Sequence, residues 1–373
     1  MRRKRVVALA GAAIAMLVVI TVYFRVFHWQ ERSAETWIRG PLVVTANTVL
    51  HGELEYGRIF EWTLDRFELM RTIQLPEDGT LNWAPTRAHA VAGGVIVAST
   101  HRALYGIDHA TGEVKWAHSV SPKQVVVEGA VYYVSHNGSV GAIRPVDGQE
   151  LWHASAMGAI AGTLSGETLV VIGPNSISAL RAENGKLLWS LDYDGVAGDY
   201  GPFIAATEGV VAVIYQDPTG AAVGRGLDAN TGEIRWSKGL PFPFPYVLSL
   251  RGEAGVVFAT LRRGAIVALH GHSGEQVWSR QLTFAPADVR SSPYISPDRI
   301  LLISGYSLVE LDRANGELRQ RMRLPGGRVA GEIVLCRDGI TSTSMKGSCI
   351  VRAGKSARTS IAQWGHRPRC QRL

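Results

Sequence analysis

A chain of 373 residues, 46% hydrophobic and 19% charged, can bury a large core, and this excludes a disordered or linker-like protein. Its formal charge of +7 resides at the two ends: without Arg2–Arg5 and the seven Lys and Arg that follow Asp338, 28 basic residues face 32 acids. The body is therefore slightly acidic, which argues against a nucleic-acid-binding surface.

The first element in chain order is Val6–Phe24, an uncharged apolar run preceded by four basic residues. A helix of that length nearly crosses a hydrocarbon core of about 30 Å. The preceding charges hold residues 1–5 in the cytoplasm, and Tyr23, Phe24, Phe27 and Trp29 sit where an interfacial aromatic belt belongs. Residues 6–27 are expected to form a transmembrane anchor and 28–41 a linker. A cleaved signal peptide is the alternative, but no small-residue cleavage site follows Phe24. Either way the rest of the chain is expected to be extracytoplasmic.

Beyond the linker one block recurs six times. It reads LYGIDHATGEVKW at 104–116, VGAIRPVDGQELW at 140–152 and ISALRAENGKLLW at 177–189. It returns as GRGLDANTGEIRW at 224–236, IVALHGHSGEQVW at 266–278 and LVELDRANGELRQ at 308–320. The glycines are Gly112, Gly148, Gly185, Gly232, Gly274 and Gly316, spaced by 36, 37, 47, 42 and 42 residues. Trp116, Trp152, Trp189, Trp236 and Trp278 share one slot, which Gln320 fills in the last copy. Apolar alternation before each turn reads as a half-buried strand. A polar residue followed by Gly is hairpin chemistry, because Gly reaches positive φ without steric cost.

Another apolar hairpin precedes each block, as at 125–139 and 249–264, so each repeat holds about four short antiparallel strands. Such units are the blades of a β-propeller. Weaker copies at 42–73 and 347–353 bring the count to eight; dropping one gives seven. The propeller is thus expected over 42–353, with residues just after the anchor placed to pair with the last blade and close the ring. Residues 354–373 read as a basic tail or a degenerate final strand.

The block resembles the repeat of the pyrroloquinoline-quinone-like propeller superfamily, and the likeness covers residues 42–353. The resemblance implies that the five tryptophans dock neighbouring blades and that the turn glycines are structural. It also implies one of two functions. One branch contains quinoprotein dehydrogenases, which hold pyrroloquinoline quinone with calcium and in many members carry adjacent cysteines. The other contains non-enzymatic scaffolds such as the propeller lipoprotein of the outer-membrane barrel-assembly machinery. Cys336, Cys349 and Cys370 form no adjacent pair and match no zinc spacing. The expectation is therefore a membrane-anchored scaffold that binds a protein partner and needs no cofactor, the alternative being a quinone-dependent oxidoreductase or its relative.

No catalytic residue is assigned. Asp192, Asp194 and Asp199 offer oxygen ligands to calcium, but no glutamate closes the loop, and a solvated turn explains them as well. His270 and His272 flank a tight turn without an obvious third metal ligand. The segment PFPFPYV at 241–247 is rigid and apolar. Phe242, Phe244 and Tyr246 are expected either to contact a partner or to plug the channel or an inter-blade gap.

Overall fold

The computed structural model describes residues 43–45, 47–52, 57–63, 69–76, 87–155, 158–195, 202–243, 247–261, 264–282, 293–304, 307–323, 333–336, 339–344, 347–352 and 360–363. Among them run 32 strands in eight four-stranded sheets. Each sheet uses four consecutive strands in antiparallel order; we call the sheets blades 1 to 8, spanning 43–74, 87–118, 122–154, 161–192, 203–243, 247–281, 294–323 and 333–363. The first strands of successive blades lie side by side: Arg87–Ala92 against Pro122–Glu128, then Ala161–Ser165, Phe203–Thr207 and Val247–Glu253 in turn. That arrangement puts the first strands innermost around a common axis, as in a propeller.

The core lies between blades. Val170, Ile172 and Ile177 of blade 4 pack with Val211, Val213 and Leu227 of blade 5. Phe258, Ile266 and Trp278 of blade 6 pack with Ile300, Leu302 and Val309 of blade 7. This corrects the half-buried expectation for the middle strands. Val95–Ser99 and Thr168–Ile172 are buried throughout, and Leu104–Asp108 nearly so. A blade sandwiched between two others has no solvent face near the axis, so its middle strands are apolar on both sides.

The strand Ser360–Gln363 pairs with Gly347–Arg352 and completes blade 8 from within 354–373, the stretch that sequence leaves open between tail and degenerate strand. The expected pairing of post-anchor residues with the last blade is not seen among the described residues: blade 8 takes all four strands from the C-terminal end. Val6–Phe24 and the linker lie outside the described residues. No helix among the described residues is long and apolar enough to cross a membrane.

Candidate functional site

Each blade's fourth strand carries the residue that locks it to the next blade. The Trp116 indole donates to the Pro145 carbonyl at 2.8 Å, and Trp152 to Ala182 at 2.8 Å. Trp189 donates to Ala229 at 3.0 Å, Trp236 to Gly271 at 2.7 Å and Trp278 to Arg313 at 2.9 Å. Every acceptor stands three residues before the turn glycine of the following blade. That glycine lies flat on the indole. A Cβ added to Gly148, Gly185, Gly232, Gly274 or Gly316 would come within 2.4 to 2.6 Å of the ring, and all five have φ between +64° and +74°. Glycine is thus required twice over, by backbone conformation and by contact.

The indole also needs space on its own sheet. Opposite the tryptophans, in register, stand Gly106, Ala142, Ala179, Gly226 and Ala268. A β-bulge follows immediately at each of these pairs, raising the local twist where the ring must turn toward the neighbouring blade. The spacing of ten residues between small partner and tryptophan is visible in sequence, and it exposes a docking residue that the search for tryptophan misses.

In blade 1 that residue is Arg71. It stands opposite Glu61, with the bulge again following. Its guanidinium donates to the His109 carbonyl, the same position relative to Gly112 that the indoles serve elsewhere, and to Ala110 O at 3.0 Å. Glu61 is only 2% exposed and accepts from Arg71 Nε at 2.6 Å and from His109 Nε2 at 2.9 Å. Burial works to raise its pKa, but hydrogen bonds from His109, Thr48 and Arg71 outweigh it, and the carboxyl ends below its ordinary 4.5.

The turns are built by side chains as well as glycine. Asp228 Oδ1 accepts from the backbone N–H of Asn230 and Thr231, while Oδ2 holds Arg235 at 2.5 Å. The Arg235 hydrogen bond comes first among the causes that bring the Asp228 carboxyl down to about 2. Asp108 and Asp312 repeat the arrangement with Lys115 and Arg319. His272 joins the blade 5 pair through Nδ1, 2.8 Å from Arg235.

These turns share one face with the turns joining first and second strands, and the two sets interlock. Thr168 of blade 4 bonds Asn230 of blade 5 at 3.0 Å, and Arg313 of blade 7 donates to Glu253 O of blade 6 at 2.9 Å. The inner turns of blades 3 to 7 each present an exposed acid: Glu128, Glu167, Glu208, Glu253 and Asp298. A second exposed feature runs along the fourth strands, where Leu69, Leu187, Ile234 and Leu318 stand two residues before the docking slot.

The other sequence candidates are dispersed. Asp192 and Asp194 are exposed on either side of the buried Tyr193, whose hydroxyl bonds Gly173 O at 2.7 Å; Asp199 lies outside the described residues. Among the described residues no group of three His, Cys, Asp or Glu is placed to hold a metal ion. The chain carries no adjacent cysteines. Phe242 is 8% exposed and packs with Val247, Leu250 and Leu261. Of the two places expected for it, contact surface or inter-blade plug, burial against blade 6 favours the plug. Phe244 and Tyr246 lie outside the described residues.

Known proteins share this architecture. The sequence profile of the family described as outer membrane protein assembly factor BamB matches residues 61–191 and 174–368. The outer membrane protein assembly factor BamB of Yersinia pestis is 24% identical over 219 residues, covering 51% of this chain and 53% of that protein. Its namesake in Burkholderia pseudomallei (strain K96243) is 29% identical over 179 residues, covering 45% and 43%. The chain spans about half the length of the curated relatives it matches. Among solved structures, BamB from Moraxella catarrhalis superposes with a TM-score of 0.61 at 14% identity, covering 87% of this chain and 96% of that one. Saccharomyces cerevisiae Sqt1 gives 0.65 at 12% identity, covering 85% and 95%. At such identities these structural likenesses concern the fold alone.

Proposed function

The chain belongs to the family of outer membrane protein assembly factor BamB, and on that premise we propose that it is a non-enzymatic, protein-binding scaffold of outer-membrane protein assembly. The observation that carries the reading is the family match, which reaches from residue 61 to residue 368. The chemistry of the repeats supports it. Tryptophans, turn glycines and turn aspartates are spent on joining blades, and what the propeller offers outward is surface. The acid-bearing inner turns suit a partner with complementary basic groups, since such charges set specificity and encounter rate. No cofactor takes part in this reading.

Capture of partners from native membranes tests it, using the full chain against a variant carrying E128K, E167K, E208K and E253K. These side chains are exposed, so folding should survive their reversal. Wild type is expected to retain components of outer-membrane protein assembly, and the variant to lose them. Equal recovery by both would remove the acidic face from the interaction; absence of such components from both would sink the scaffold reading.

The proposal includes anchoring through Val6–Phe24, with the propeller on the extracytoplasmic side. Alkaline carbonate extraction should leave the protein in the membrane fraction. A shortened protein in the soluble fraction would replace the anchor by a cleaved signal.

A further inference from the structure

We propose that the seam between blades 1 and 2 is an acid-labile latch, the place where the propeller parts first once Glu61 takes up a proton. At five other seams the link is an indole N–H, which does not titrate. Here it is a guanidinium whose position depends on a buried anion. Arg71 reaches the turn of blade 2 while its Nε is held by Glu61, and Glu61 also holds the His109 ring of that same turn. One carboxylate therefore organises both sides of the seam. The groups facing it are Arg71 from the fourth strand of its own blade, the Thr48 hydroxyl from the second strand, and His109 from the neighbouring blade. Protonation leaves Arg71 partly buried without its counter-charge, and a broken buried pair is far costlier than an absent one.

The sign follows from the lowered carboxyl of Glu61. Above pH 4.5 both the closed and the parted seam hold Glu61 ionised, and the latch is at full strength. Between 4.5 and the lower closed-state value, the parted seam binds a proton that the closed seam does not. Parting should then rise about tenfold for each pH unit lost. Acid therefore weakens the seam as the carboxylate itself titrates.

Hydrogen–deuterium exchange by mass spectrometry on the full-length chain tests the latch. The series runs from neutral to about pH 3.5, with rates corrected for intrinsic exchange. Peptides over 58–74 and 104–112 should lose protection at a higher pH than those over 176–192 and 221–236. E61Q should show the loss at neutral pH already. The double variant E61G/R71W installs the pairing that Gly106 and Trp116 make one blade on, and should abolish the early acid response. Simultaneous loss at all seams in wild type, or an early response that persists in E61G/R71W, would overturn the proposal. Should a variant fail to fold, the wild-type order of loss decides alone.

Discussion

Trp236→Ala should cost about 3–5 kcal/mol of stability, as large buried truncations do. Its ring is 7% exposed, packs in the cluster shared by blades 5 and 6, and donates to Gly271 O across the seam. Truncation removes the apolar contacts, opens a cavity over Gly274, and leaves the Gly271 carbonyl without its indole donor. Ile234→Ala, two residues away and 43% exposed, should change stability by no more than about 0.5 kcal/mol. Denaturant titration of the two variants checks the contrast. Trp189→Ala should fall below Trp236→Ala, because that ring is less completely covered. Equal losses for Trp236→Ala and Ile234→Ala would remove the docking role.

Gly274→Ala should be nearly as damaging, for two separable reasons. Its φ of +64° costs an L-residue about 1–2 kcal/mol. Its new Cβ would lie 2.5 Å from the Trp236 ring, and overpacking of that kind costs about 1–3 kcal/mol more. The two parts separate in a double-mutant cycle. On the Trp236→Ala background the contact is gone and only the backbone part should remain, so the double variant should be more stable than the sum of the singles implies. Strict additivity would mean that glycine is there for its backbone alone.

The repeat was legible because its chemistry is strict. A turn that must accept an indole tolerates only glycine, and a ring that must fill a seam is best made by tryptophan, so both stand out against variable surroundings. Arg71 escaped because a guanidinium performs the same bonding without being aromatic, and its small partner is replaced by Glu61. The strand Ser360–Gln363 stays ambiguous in sequence, between tail and degenerate strand, because it carries neither turn glycine nor tryptophan and its identity is fixed only by pairing with Gly347–Arg352. Phe242 shows a choice that sequence leaves open. Its flanking prolines suit a partner contact or an inter-blade plug equally, whereas the strand Ile234–Pro243 runs through Phe242 and inter-blade packing claims the ring. Local sequence conveys what a segment can do with itself; whether a side chain is covered depends on a blade many residues away.

The strict use of four consecutive strands per blade bears on how the chain acquires its structure. Every backbone pairing of a sheet such as 161–192 is made among near neighbours in sequence, which keeps loop-closure costs low and pairing fast. A chain synthesised from its N-terminus can therefore satisfy each sheet's peptide groups as that sheet is completed, without waiting for the far end. What must wait is the side-chain lock, since each indole finds its acceptor only when the following turn, 29 to 40 residues later, has emerged. Synthesis from the N-terminus thus sets the order of maturation: each sheet first, then the lock to its successor, with blade 1 the earliest sheet and blade 8 the last.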